Sequence, residues 1–234
     1  MRTTALATAL YSFGLFSLAP LALASPPALD GVVESARQAF DVPGIAVAIV
    51  KDGDVVLAKG FGVRDIRSGQ PVDARTRFAI ASQTKAFTSA SLSILADEGK
   101  LSLDDRVIDH LPAFRMADPY VTREMRIRDL LTHRSGLALG AGDLLFWPAS
   151  EHSTEDIVRR LAHVPLATSF RADYAYDNVL YAVAQRVIET VSGQSYGDFV
   201  RERIFVPVGM PGAVTNSDHL PEGANAATGH AKPG

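Results

Sequence analysis

The 234-residue chain contains no cysteine. That excludes disulfide staples and attachment of a lipid through an N-terminal cysteine, so the fold must rest on its apolar core. An excess of basic charge is missing too: 23 Lys and Arg stand against 26 Asp and Glu, for a net charge of −3. Nothing here resembles the basic footprint of a nucleic-acid binder. The chain has no internal repeat, low-complexity tract or long charge block. Its six histidines (His110, His133, His152, His163, His219, His230) show no H-E-x-x-H spacing, and no metal site or cofactor is expected. No G-x-S-x-G elbow occurs, which argues against an α/β-hydrolase. Gly60-Phe61-Gly62 is too sparse to cradle phosphate. With 47% hydrophobic and 21% charged residues, the composition is that of an ordinary globular protein of one or two domains.

The amino terminus carries the first positive signal. Met1-Arg2 gives a short positive start, an apolar run extends from Ala5 to Leu18, and Ala22-Leu23-Ala24 matches a small-residue cleavage site. Residues 1–24 are expected to be a secretory signal peptide, placing the product in the periplasm or outside the cell. The alternative is a membrane anchor, but the run is short for a span and Pro20 interrupts it. No stable membrane anchor is expected. Cleavage removes Arg2 and leaves 22 basic against 26 acidic side chains.

Beyond that segment, Asp30 can cap a helix with Val32, Val33, Ala36 and Phe40 as its apolar positions, ended by Pro43-Gly44. Gly44–Val50 is apolar on both alternations, Asp52-Gly53 follows, and Val55–Ala58 is again apolar. This predicts a hairpin around Asp-Gly, with both faces of its sheet covered. From Phe78 onward the periodicity is helical. A short helix is expected on Ile127, Leu130 and Leu131, stopping at Gly136. Another follows the capping pattern Ser153–Asp156 and buries Ile157, Val158, Leu161 and Val164. A third runs from about Val179 to Val191, ending at Gly193, and a fourth carries Phe199, Ile204 and Phe205. Because a lone hairpin is not stable, further strands are expected beyond the Gly-, Pro- and Asn-rich end. Residues 25–234 are therefore read as the N-terminal part of a domain, with an uncovered hairpin edge that favours aggregation.

Between Arg77 and Asp97 the single charged side chain is Lys85, which follows Ser82-Gln83-Thr84. A hydroxyl and an amine three residues apart share one helix face. On the surface such a pair is an ordinary solvated face. Here Phe78, Ala79, Ile80 and Ala81 lead in, and Ala86, Phe87, Leu92, Ile94 and Leu95 follow, so no side of the helix is expected to be strongly solvated. Burial disfavours a charged amine and makes it a base for the hydroxyl. Bringing an ordinary lysine from about 10.4 to about 7 takes roughly 4–5 kcal/mol, which desolvation can supply. A serine at a helix start also places its N–H at the positive end of the dipole, where an oxyanion can form.

The second constellation is Tyr176-Asp177-Asn178, before the helix near Val179. Tyr and Asn leave such a loop in nearly one direction, offering a proton relay and an amide that can clasp a carbonyl. The plainer reading makes Asn178 an N-cap and Tyr176 a packed aromatic. His133 is read as a structural group near the Ser135-Gly136 turn, and Asp104-Asp105 as turn and cap chemistry.

Taken together, Ser82-Gln83-Thr84-Lys85, Gly99–Asp105, Leu130-Leu131-Thr132-His133-Arg134-Ser135-Gly136-Leu137, Tyr176-x-Asn178 and Val206–Met210 resemble the class C β-lactamase-related serine hydrolases. That group includes D-alanyl-D-alanine carboxypeptidases, D-aminopeptidases and family VIII esterases, and the likeness covers Gly44 to Met210. It implies an α/β (α+β) β-lactamase/transpeptidase-like fold: an antiparallel sheet flanked by helices, an all-helical lobe, and the active site between them. It implies Ser82 as nucleophile, Lys85 and Tyr176 as the proton relay, and Asn178 on the substrate amide or on Lys85. The stretch Leu137–Trp147 would border the cleft.

Two departures follow from the same resemblance. The family's Lys/His-x-Gly strand, which supplies a second oxyanion donor, is expected beyond residue 234; Lys232-Pro233-Gly234 copies its letters but follows a loop. The chain alone is thus expected to be weakly active or inactive, since one lost donor costs a factor of about 100–1,000. Asp177 stands where a small or hydroxyl residue is more usual, and a carboxylate aimed at Lys85 would oppose the mechanism. The expected function is an exported serine hydrolase acting on a β-lactam, ester or D-amino-acid amide, small or peptidoglycan-derived, through an acyl-serine. The alternative is a non-catalytic, penicillin-binding-like cell-wall recognition module.

Overall fold

A computed structural model describes residues 27–148 and 150–231. The expected signal peptide and Lys232-Pro233-Gly234 lie outside the described residues. Within them no helix is long and apolar enough to cross a membrane. The described residues divide into two compact units, one of residues 27–76 with 225–231, the other of residues 77–148 with 150–224.

The first unit holds helix α1 (Pro27–Ala39) and strands β1 (Gly44–Lys51) and β2 (Asp54–Gly62), paired antiparallel. Asp52 (φ 53°) and Gly53 (φ 86°) form the two-residue turn, the left-handed pair whose twist suits a tight hairpin. The register slips by one residue at Ile49/Val50. Gly60 has a specific reason to lack a side chain: a Cβ there would lie 2.3 Å from the carbonyl oxygen of Val72. Asn225 fastens the distant end of the unit, accepting from Arg64 and Thr76 and donating to both oxygens of Asp73.

Three expectations fail in this unit. Cover on both faces of the sheet is not found among the described residues: Ala46, Ala48 and Val50 of β1 are exposed, while Ile45, Val47 and Ile49 are half-buried. Asp30 lies inside the first turn of α1 rather than capping it, and bonds Lys59 at 2.5 Å. Val32 and Phe40, expected in its apolar face, are exposed.

The second unit is helical. Helix α2 (Thr84–Asp97) continues a 3-10 turn over Ala81–Gln83. Short helices α3 (Val107–His110) and α4 (Pro119–Glu124) and a 3-10 turn over Ile127–Leu131 follow. Then come α5 (Thr154–Arg160), α6 (Val179–Ser192) and α7 (Tyr196–Val200), the last extended by a π turn over Arg201–Phe205. Their ends obey local chemistry. Asp118 accepts from the N–H groups of Tyr120 and Val121 ahead of Pro119, a residue with no N–H to satisfy. Ser153 and Asp156 exchange the two bonds of a capping box at α5. Gly193 (φ 72°) closes α6.

Helix α6 is the axis of the unit. Val179, Leu180, Val183, Ala184, Val187 and Ile188 recur at helical spacing and are all fully buried. They pack with Leu92 and Leu95 of α2, Ile157 and Leu161 around α5, Leu130, and Phe199 and Val200 of α7 in one apolar core. Burying each large aliphatic side chain contributes about 1.5–3 kcal/mol, which fixes α2 and the start of α6 against each other. A buried hydrogen bond of 2.8 Å between Thr88 and the Tyr196 hydroxyl adds direction.

Helix α2 is not buried on every side, contrary to expectation. Thr88, Ser91, Leu92 and Leu95 face the core, whereas Gln83, Ala86, Ala90 and Ser93 form an exposed stripe, and Phe78 and Ile80 are exposed as well. Small residues at three- and four-residue spacing kept this side silent in the sequence.

Candidate active site

Ser82 and Lys85 are placed by the start of α2. Ala81 takes a left-handed φ of 45°, a conformation costing a non-glycine residue about 1–2 kcal/mol, and turns the chain into the 3-10 run that holds Ser82. Ser82 is exposed and Lys85 half-buried. Lys85 Nζ lies 3.2 Å from Ser82 Oγ, as the spacing on one helix face requires.

Tyr176 and Asn178 arrive by a different route. The segment before α6 runs beside residues 133–137, joined by Arg171 N–H to the Arg134 carbonyl, Ala175 N–H to that of His133, and Ala167 N–H to that of Gly136. His133 (φ 57°), Gly136 (φ 92°) and Arg171 (φ 63°) supply the left-handed bends. Arg171 is pinned by two bonds to the buried Asp129, 2.9 Å from Nε and 2.6 Å from Nη2. The result delivers the Tyr176 hydroxyl to Ser82 Oγ, to which it donates at 2.6 Å. Asn178 occupies the N-cap position of α6 without capping it. Its Oδ1 instead accepts from Lys85 Nζ at 2.6 Å.

All four sequence-predicted residues therefore converge, and Ser82 Oγ receives hydrogen bonds from both Lys85 and Tyr176. The Lys85 Nζ also stands 4.7 Å from the Tyr176 ring centre and 5.0 Å from that of Tyr181. The Lys85 amine, then the Ser82 hydroxyl, hold the Tyr176 phenol below its ordinary range, against the upward effect of burial. A neighbouring cation favours the ionised form of the phenol, which is the form able to accept a proton.

Asp177 does not oppose this arrangement. It is fully buried and turned to Ser135, whose hydroxyl donates to its Oδ2 at 3.3 Å. Burial raises its pKa to about 6. Its backbone N–H donates to His133 Nδ1 at 3.3 Å, leaving that ring nitrogen unprotonated. The His133 ring lies 4.4 Å from that of Tyr176 at 33°, and burial followed by the Lys85 charge lowers its pKa. His133 is thus more than a turn residue: it backs the tyrosine ring.

Asp143 is a contact that sequence reasoning missed. Its Oδ2 accepts from Asn178 Nδ2 at 2.9 Å. It lies in the Leu137–Trp147 stretch, directly after Gly140-Ala141-Gly142, where no residue was singled out.

Comparison with known proteins places this geometry. The model of the Beta-lactamase family matches residues 29–234, and the chain belongs to that family. The fold is β-lactamase/transpeptidase-like. Over 200 residues the chain is 32% identical to an unguisins hydrolase (ungD) of Aspergillus violaceofuscus (strain CBS 115571), covering 78% of this chain and 34% of that protein. The octameric penicillin-binding protein homologue from Pyrococcus abyssi superimposes with a TM-score of 0.73 at 29% identity, over 86% of this chain and 47% of that one. The D-amino acid amidase from Ochrobactrum anthropi SV3, complexed with L-phenylalanine, gives 0.66 at 27% identity, over 78% and 49%. The chain spans about a third of the length of the curated relatives it matches.

Proposed function

We propose that the protein is an exported serine hydrolase that cleaves a carbonyl–nitrogen or carbonyl–oxygen bond through an acyl-serine, without a cofactor. The observation carrying this reading is the position of Ser82 Oγ within hydrogen-bond reach of both Lys85 Nζ and the Tyr176 hydroxyl. As drawn, both groups donate to the serine. Loss of one proton from the Lys85–Tyr176 pair turns one of them into an acceptor, and Ser82 then gives up its proton as Oγ attacks the carbonyl carbon. The oxyanion so formed is favoured by the N–H groups at the start of the 81–97 helical run. Collapse expels the leaving amine or alkoxide, which takes the proton held by the pair, and water then releases the acid from Ser82.

The substrate class rests on family membership and on the likeness to an amidase and to a hydrolase of unguisins: a β-lactam, an ester or a D-amino-acid amide, small or derived from peptidoglycan. Export rests on residues 1–24 of the sequence. The test is turnover of a chromogenic cephalosporin and of a p-nitrophenyl ester by the intact protein and by Ser82→Ala. Hydrolysis of either, lost in the variant, supports the reading. Binding without turnover of either would instead make the protein a recognition module.

A further inference from the structure

A side-chain amide can present its oxygen or its nitrogen in the same place, and only its partners decide which. Asn178 sits between two groups that settle the matter. Lys85 as an ammonium can only donate, and Asp143 as a carboxylate can only accept. One orientation satisfies both: Oδ1 on Lys85 at 2.6 Å and Nδ2 on Asp143 at 2.9 Å.

We propose that Asp143 is a positioning residue, which acts through Asn178 to keep the lone pair of Lys85 free for Ser82. The inference rests on the acyl-serine reading and deepens it. When Lys85 loses a proton, its amine keeps two N–H groups and gains one lone pair. An amide free to turn over would offer Nδ2 to that lone pair and occupy the base. With Asp143 in place, the turned amide would set its oxygen against a carboxylate, so Oδ1 stays on Nζ. The lone pair is then left to the neighbour 3.2 Å away, Ser82 Oγ.

The surroundings hold Asp143 in place for this task. Gly140 N–H donates to the Tyr176 carbonyl at 2.9 Å, clasping the loop to the segment it serves. Gly142 (φ 85°) lies so close to Val179 that a Cβ would sit 3.1 Å from its side chain, which lets the loop settle on the first residue of α6. Asp143 itself opens a 3-10 turn, and its carbonyl accepts from Trp147 N–H at 2.8 Å. Its other oxygen, Oδ1, is shielded from solvent and accepts from no group among the described residues, so Asn178 is its side chain's one hydrogen-bond donor there.

The experiment is a double-mutant cycle on the acylation rate of the intact protein, read as the pre-steady-state burst with a p-nitrophenyl ester. Asp143→Ala is expected to slow acylation about tenfold in the parent and less than about twofold in an Asn178→Ala background, because the residue acts through Asn178. Asp143→Asn, which can still offer an oxygen to Nδ2, is expected to fall between parent and Asp143→Ala; it also serves in the cycle if the alanine variant does not fold. Equal losses in both backgrounds, or a parent rate changed less than twofold by Asp143→Ala, would overturn the proposal. Ser82→Ala is the separate control: a burst that survives it removes the acyl-serine reading, whereas equal losses with the control intact remove the role of Asp143 alone.

Discussion

The Tyr176 hydroxyl donates to Ser82 Oγ at 2.6 Å across 94 positions of sequence. The bond joins the start of α2 to the segment entering α6, two helices whose buried residues share one apolar core.

Tyr176→Phe keeps the ring against His133 and deletes the hydroxyl alone. Acylation by a p-nitrophenyl ester is expected to fall about 10²–10⁴-fold, the usual contribution of a positioned acid–base group, with little change in KM. Stopped-flow burst kinetics check this. An unchanged burst rate would leave Lys85 as the sole relay.

Lys85→Arg preserves the charge but installs a group that stays protonated at any working pH. Acylation is expected to drop about a hundredfold or more while the circular dichroism spectrum and melting temperature stay near the parent's. A variant of near-parent activity would show that this position serves only by its charge.

Asp177 makes a prediction about stability. Its pKa is raised from the ordinary 3.8 to about 6, chiefly by burial. The folded state therefore binds the proton more tightly than the unfolded chain. Its contribution is most favourable below about pH 3.8 and is lost as pH rises through about 6. The neighbouring Asp143 charge adds to this shift, while Ser135 and Lys85 oppose it. Asp177→Asn removes the titration. Urea unfolding of variant and parent at pH 4 and pH 7 is expected to show the variant gaining about 2 kcal/mol relative to the parent between the two. A pH-independent difference would contradict it.

Gly136 carries a φ of 92°, and a Cβ there would lie 2.7 Å from the Thr168 carbonyl oxygen, a backbone atom that cannot step aside alone. Gly136→Ala is expected to cost roughly 2–4 kcal/mol and to loosen the segment that delivers Tyr176. Denaturant titration with the burst rate measured in parallel tests both effects.

What the sequence made legible was periodic or local. Val179, Leu180, Val183, Val187 and Ile188 announced α6, Asp52-Gly53 the hairpin, Ser153 and Asp156 the α5 cap, and the offset from Ser82 to Lys85 their shared face. Contacts between distant segments were not legible from single residues. Asp177 turns to Ser135, 42 positions away, and Asp143 meets Asn178 across 35. Nothing in either residue's neighbours in sequence specifies those partners. The pairing of Ser82 with Tyr176 is more distant still, at 94 positions, and the family's ordered motifs brought it within reach. Exposure was the other failure. Ala86, Ala90 and Ser93 are small and uncharged, so they suit a solvent face of α2 as well as a packed one, and Val32 and Phe40 of the first helical segment face outward despite their type.

The most direct measurement is the mass of the intact protein and of its Ser82 peptide after reaction with a reporter penicillin or an activated phosphonate. The account predicts one adduct per chain, located on Ser82, and none in Ser82→Ala. An adduct that persists in Ser82→Ala, or that maps to another residue of the parent, would contradict it.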